Sequence, residues 1–183
     1  CRENDILFAF DEMQAGFART GKAFGYQHYD VSPDLIACGK GMGGGIPLSG
    51  VIGRAQIMDL PEIGNMSSTH SANPLVCAAG QAVIEEIESK SLISEAARKG
   101  ALLKEALQSL KDQFPDHISL VLGCGMIYAI IFIDPLTGKP YGKLASKVAE
   151  RCMQKGVLVV HTGRESIKLG PPLTINDEAL LEG

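Results

Sequence analysis

Two short apolar runs, each leading to a group with chemistry of its own, constrain this chain more than any other feature. Ile6-Leu7-Phe8-Ala9-Phe10 is continuous, brief and bounded by charge, which is the pattern of a parallel-sheet strand buried on both faces. Asp11 stands where that strand ends. Asp34-Leu35-Ile36-Ala37-Cys38 makes a second run, and Lys40 follows it inside Gly39-Lys40-Gly41-Met42-Gly43-Gly44-Gly45. Ligands of open α/β sheets gather beyond the carboxyl ends of strands, so an acid and an amine at two strand exits can converge on one small molecule.

The two groups suggest what that molecule is. A lysine among glycines after a buried strand is expected to be poorly solvated, and desolvation favours the neutral, nucleophilic amine. An aspartate at a neighbouring strand end can hold a heteroaromatic nitrogen in its protonated form, which turns the ring into an electron sink. Pyridoxal phosphate, an aldehyde-bearing pyridine, needs both.

Three motifs carry a family resemblance. Asp11-Glu12-Met13-Gln14-Ala15-Gly16-Phe17-Ala18-Arg19-Thr20-Gly21 resembles the D-E-x-Q-x-G-x-x-R-T-G segment of class III pyridoxal-phosphate aminotransferases. Gly39-Lys40-Gly41 is similar to their Schiff-base lysine segment, at the family's spacing from Asp11, and Thr69-His70-Ser71-Ala72-Asn73-Pro74-Leu75 resembles their T-H-x-x-N-P-L. Pro171-Pro172-Leu173 comes next in the family's order, so the likeness covers nearly the whole chain.

The resemblance implies a fold of the α/β class: part of the large-domain sheet of a fold-type I transferase, then a small α+β domain. It also implies roles. Asp11 pairs with the pyridinium nitrogen, Met13 lies on the ring where the family usually has valine, and Gln14 reaches the phenolic oxygen. Lys40 forms the Schiff base and shuttles the proton. Thr69 touches the cofactor phosphate, characteristically in the partner subunit's site, so a homodimer is implied. At the Lys168 position many members carry an arginine that grips a substrate carboxylate through a planar fork. Lysine is a point charge on a flexible stem, which puts 2-oxoglutarate in doubt as amino acceptor. Arg164 is the alternative guanidinium.

Plainer readings stand beside these. Asp11 suits a turn or helix cap, Lys40 a solvated surface charge, Thr69 a turn; it is the joint pattern that outweighs them. Gly39-Lys40-Gly41-Met42-Gly43-Gly44 formally matches the dinucleotide-binding GxGxxG, but such a loop should open a helix, and Gly45-Ile46-Pro47-Leu48-Ser49-Gly50 is a poor helix start. Within the resemblance, the expected reaction is amino transfer from an amino acid or amine to a keto acid. An aminomutase, decarboxylase or racemase is the alternative, as is a catalytically silent fragment lacking its N-terminal half.

Composition bounds the rest. With 183 residues, 45% hydrophobic and 21% charged, the chain suits an ordinary globular protein. A net charge of −4 without a basic run argues against nucleic acid. The apolar runs are too short to span a bilayer. Cys1, Cys38, Cys77, Cys124 and Cys152 are irregularly spaced, with neither a disulfide framework nor a metal-binding CxxC pair, which points to a reducing cytoplasm. Cys1 in place of an initiator methionine, and a helix begun at Asn176-Asp177-Glu178 close to the end, read as a piece of something longer.

Between these points the pattern predicts a short helix over 22–29, a strand over 48–53, a turn of helix over 54–59 and a loop over 61–68. An amphipathic helix runs from Pro74, where a missing amide proton costs nothing, and a second spans about 91–111. Strands are expected over 117–122, 126–133, 157–160 and 166–169, with a helix over 143–155. A domain boundary is expected near residue 113, separating a partial cofactor-binding domain (1–113) from a small C-terminal domain (114–183).

Overall fold

Asp34 staples the first two strands together. In the computed structural model, which describes residues 1–183 except the side chain of Arg2, its carboxylate accepts from the Phe8 amide at 2.8 Å and its own amide donates to Phe8 O at 2.7 Å. Arg54 closes on the same carboxylate. These contacts set the register of β1 (Ala9–Asp11) against β2 (Leu35–Cys38) as a parallel pair, with Asp11 opposite Ala37. β3 (Gly50–Gly53) joins β2 antiparallel on its other side, giving the order β1-β2-β3.

The first strand is shorter than its apolar run. Ile6 and Leu7 lie ahead of it, each 57% exposed, and pairing begins only where the Phe8 carbonyl meets the amides of Asp34 and Leu35. The expected burial of this run on both faces is therefore not found.

The chain divides into two compact units, Cys1–Ile93 and Ser94–Gly183. The first carries the three-stranded sheet, a short helix α1 (Ala55–Met58) and the long α2 (Pro74–Ser89). Pro74 opens α2 as expected, and Asn73 caps it by accepting from the Leu75 amide at 2.9 Å. In place of the helix expected over 22–29, a single 3-10 turn forms over Gly25–His28.

The second unit holds almost all of α3 (Leu92–Gln113), which precedes a four-stranded antiparallel sheet of order β4-β5-β7-β6. Its strands are β4 (Ile118–Cys124), β5 (Ile127–Phe132), β6 (Val160–His161) and β7 (Ser166–Leu169). Helices α4 (Gly142–Gln154) and α5 (Asp177–Glu182) complete it. The core draws Leu103 and Leu107 from α3, Tyr128, Ile130 and Phe132 from β5, and Ala145 from α4. The sequence places the boundary after α3, near residue 113; the burial of Ala96, Leu103 and Leu107 against the second sheet puts this helix in the second unit.

Among the described residues, no helix is long and apolar enough to cross a membrane, and no group of three or more His, Cys, Asp or Glu converges to hold a metal.

Candidate active site

The parallel register brings two sequence-predicted groups to neighbouring strand ends. Asp11 is the last residue of β1 and faces Ala37, three positions before Lys40 in the chain beyond β2. The ladder continues one step further, as the Glu12 amide donates to Ala37 O at 2.9 Å. Asp11 is exposed, and its Oδ1 accepts from the Met13 amide at 3.0 Å. It thus also forms the local turn that such a residue forms readily.

Lys40 opens a 3-10 turn over Lys40–Gly43, which Gly44 ends in the left-handed conformation at φ 58°. A dinucleotide loop would lead into a helix, whereas this turn leads into the antiparallel β3. Lys40 itself has φ 45°, the left-handed region that a side chain rarely enters. It is exposed, so the desolvation expected of it is not supplied by these residues. The glycines on either side carry no side chain to cover it.

Those glycines instead admit the segment after Asp11. A Cβ built on Gly39 would stand 2.5 Å from Met13 Sδ, and one on Gly41 would lie 3.6 Å from the Cβ of Phe17. Met13 and Phe17 therefore flank the backbone on the two sides of Lys40. On the far side, α2 presses against the glycine run through Gly80, where an added Cβ would meet Leu48 at 2.6 Å.

The other predicted residues are more dispersed. Gln14 is half-buried in the turn after Asp11. Thr69 lies in the exposed stretch of turns and bends over 61–73. Lys168 and Arg164 belong to the second unit. Lys168 is on β7, opposite Ala129 of β5 and Val160 of β6, and Arg164 is in the turn before β7. His28, exposed in the 3-10 turn, places Nε2 3.1 Å from Thr20 O.

Sequence reasoning passed over Glu12. Its side chain is wholly buried, and its two oxygens accept from the amides of Gly25 and Tyr26 at 2.8 and 2.7 Å. The alternation of a strand supplies the missing signal: with Asp11 outward at the strand end, its neighbour turns inward. Arg19, further along the same segment, has its pKa lowered by burial.

Known proteins match this chain along its whole length. A 4-aminobutyrate aminotransferase of Mycobacterium leprae is 40% identical over 185 residues, covering 100% of this chain and 41% of the relative. A leucine/methionine racemase of Thermococcus litoralis is 39% identical, covering 99% of this chain and 41% of the relative. The crystal structure of an acetylornithine aminotransferase from Elizabethkingia anophelis superposes with a TM-score of 0.89 at 34% identity, over 100% of this chain and 44% of that one. The chain thus spans about two-fifths of the length of the curated relatives it matches. A family model described as Aminotransferase class-III matches residues 1–183, and with the strand-end geometry agreeing, the chain belongs to the class III aminotransferases.

Proposed function

We propose that the protein transfers an amino group from an amino acid or amine to a keto acid, using pyridoxal 5'-phosphate held between Asp11 and Lys40. The observation that carries this is the parallel register that sets these two residues at adjacent strand exits. The residues fit such a group. An acid and an amine share one end of the sheet, and the side-chain-free position at Gly39 lets Met13 close in on the backbone next to Lys40.

When bound, the cofactor supplies an electron sink for charge developing on the carbon that carries the substrate nitrogen. This chain's residues do the rest. The Asp11 carboxylate keeps the ring nitrogen protonated. Met13 would lie along the ring face, and Gln14 would donate to its phenolic oxygen. Lys40 Nζ would hold the cofactor and, once displaced from it by the substrate amine, would be the free base that takes the proton from the substrate carbon. The left-handed backbone of Lys40, a strained conformation for any residue with a Cβ, fits a position kept for its chemistry.

Three finer assignments go with this reading. Thr69, on an exposed loop, serves the phosphate in a partner copy's site, which makes the active protein a homodimer. Lys168 or Arg164 binds the substrate carboxylate. The protein works in a reducing cytoplasm, consistent with five free cysteines.

The test is titration of the intact protein and its Lys40→Ala variant with pyridoxal phosphate, followed by borohydride reduction and peptide mass mapping. Covalent cofactor on the Lys40 peptide, absent from the variant, is the expected result. Equal labelling of both proteins would remove Lys40 from the site. A racemase is the second reading, favoured by the 39% identity to the leucine/methionine racemase. Loss of optical activity in an amino acid incubated without any keto acid would select it.

A further inference from the structure

Glu12 is the most deeply buried acid among the described residues and has no part in the chemistry proposed above. Four contacts fix it. Its amide donates to Ala37 O at 2.9 Å, its carbonyl accepts from the Gly16 amide at 3.1 Å, and its two carboxylate oxygens accept from the amides of Gly25 and Tyr26. The neighbours are fitted to this arrangement. A Cβ on Gly25 would stand 2.9 Å from Ala15 Cβ and 3.2 Å from Glu12 Oε2, and one on Gly16 would stand 3.0 Å from Glu12 O.

The consequence is mechanical. Residues 13–24 leave the strand at Asp11 and return at Gly25, and Glu12 ties the two ends of that excursion together from beneath. The same excursion carries Met13 to Gly39 and Phe17 to Gly41, on either side of Lys40. Both carboxylate oxygens are used as acceptors, and two converging amides need two acceptors. Glutamine offers one, and would turn its own NH2 toward the other amide. A buried donor left without a partner costs more than the bond it replaces.

We propose that Glu12 is a positioning residue: by clamping the Gly25 and Tyr26 amides it fixes the direction in which Asp11 leaves the sheet and the seat of Met13 beside Lys40. This rests on the reading of Asp11 as a cofactor-binding group.

The test is a double-mutant cycle in the intact protein with Glu12→Gln and Asp11→Asn, reading the dissociation constant for pyridoxal phosphate, alongside amide hydrogen exchange at Met13, Gly25 and Tyr26 without cofactor. Glu12→Gln is expected to speed exchange at all three amides and to weaken cofactor binding about tenfold. On an Asp11→Asn background the same change is expected to weaken binding by no more than about twofold, because its effect passes through Asp11. Additive losses, or unchanged exchange at Met13, would overturn the positioning role and leave the proposed function standing. An Asp11→Asn protein that binds cofactor as tightly as the parent would overturn both.

Discussion

Met13 lays its sulfur against Gly39, so closely that a Cβ on the glycine would stand 2.5 Å from Sδ. The obstacle is the far part of a flexible side chain, not backbone. Gly39→Ala should therefore cost little stability, about 1 kcal/mol by urea denaturation, while pushing Met13 away from Lys40. Cofactor attachment should fall disproportionately. Met13→Val shortens the opposing side chain, so the double variant Met13→Val/Gly39→Ala should recover attachment. Continued loss in the double variant would show that Gly39 matters for some other reason.

Gly100 is the contrasting case. There an added Cβ would meet the backbone of Gly125 at 2.5 Å, at both Cα and C, where α3 crosses the turn between β4 and β5. The Tyr128 hydroxyl donates to Gly100 O at 3.3 Å in the same place. Backbone cannot step aside as a methionine can. Gly100→Ala is expected to cost about 3 kcal/mol or more, seen as a lower denaturation midpoint, with little change in cofactor affinity among the molecules that remain folded. A loss below about 1 kcal/mol would contradict this packing.

Lys40 gives a test that separates function from stability. Its φ of 45° is unfavourable for a side chain and natural for glycine. Lys40→Gly should be more stable than Lys40→Ala by about 1 kcal/mol, although both abolish cofactor attachment. Equal stabilities would mean that the left-handed conformation carries no strain.

Much of this architecture was legible because the signals were local. Pro74 with Asn73 before it, Asn176 before two acids, and the alternation along 127–132 each declare an element through contacts within a few residues. That Asp11 and Lys40 stand at neighbouring strand exits was legible because strand ends and glycines mark them in sequence. What failed depended on distant neighbours. Val157-Leu158-Val159 reads as strand, yet the Val157 amide donates to Cys152 O and Gly156 sits at φ 90°, so these residues begin as the exit of α4. Only Val160 and His161 reach the sheet. For Glu12 the alternation of the strand marks an inward side chain, but its partners, the Gly25 and Tyr26 amides, lie in a turn whose position nothing in the motif itself marks.

Cys38 should be chemically quiet despite its place two residues before Lys40. Burial, and then the charge of nearby Glu12, push its thiol pKa up, and the thiolate is the reactive form. With iodoacetamide at pH 8, native Cys38 is expected to label at least about tenfold more slowly than an unhindered cysteine, and to reach the normal rate in urea. Rapid native labelling would place it at the surface.

Arg98 on α3 holds α5 in the second unit through a two-pronged contact. Nη1 and Nη2 donate to the two carboxylate oxygens of Asp177 at 2.8 Å each, and Nη2 also donates to Glu95 at 3.0 Å. The hydrogen bonds from Arg98 hold both carboxyls below their ordinary values. A carboxylate whose folded pKa is depressed stabilises the folded state fully above its unfolded pKa, about 4, and loses that contribution as pH falls through the folded value. Arg98 stays charged throughout, so the acids alone set the window. Amide exchange at Leu180 should therefore be faster in Arg98→Met than in the parent at pH 6. The difference should begin to shrink below about pH 4, as the acids take up protons, and should also shrink in high salt, since all three groups face solvent. A difference indifferent to both acid and salt would mean that the Arg98 stem, and not its charge, holds α5 in place.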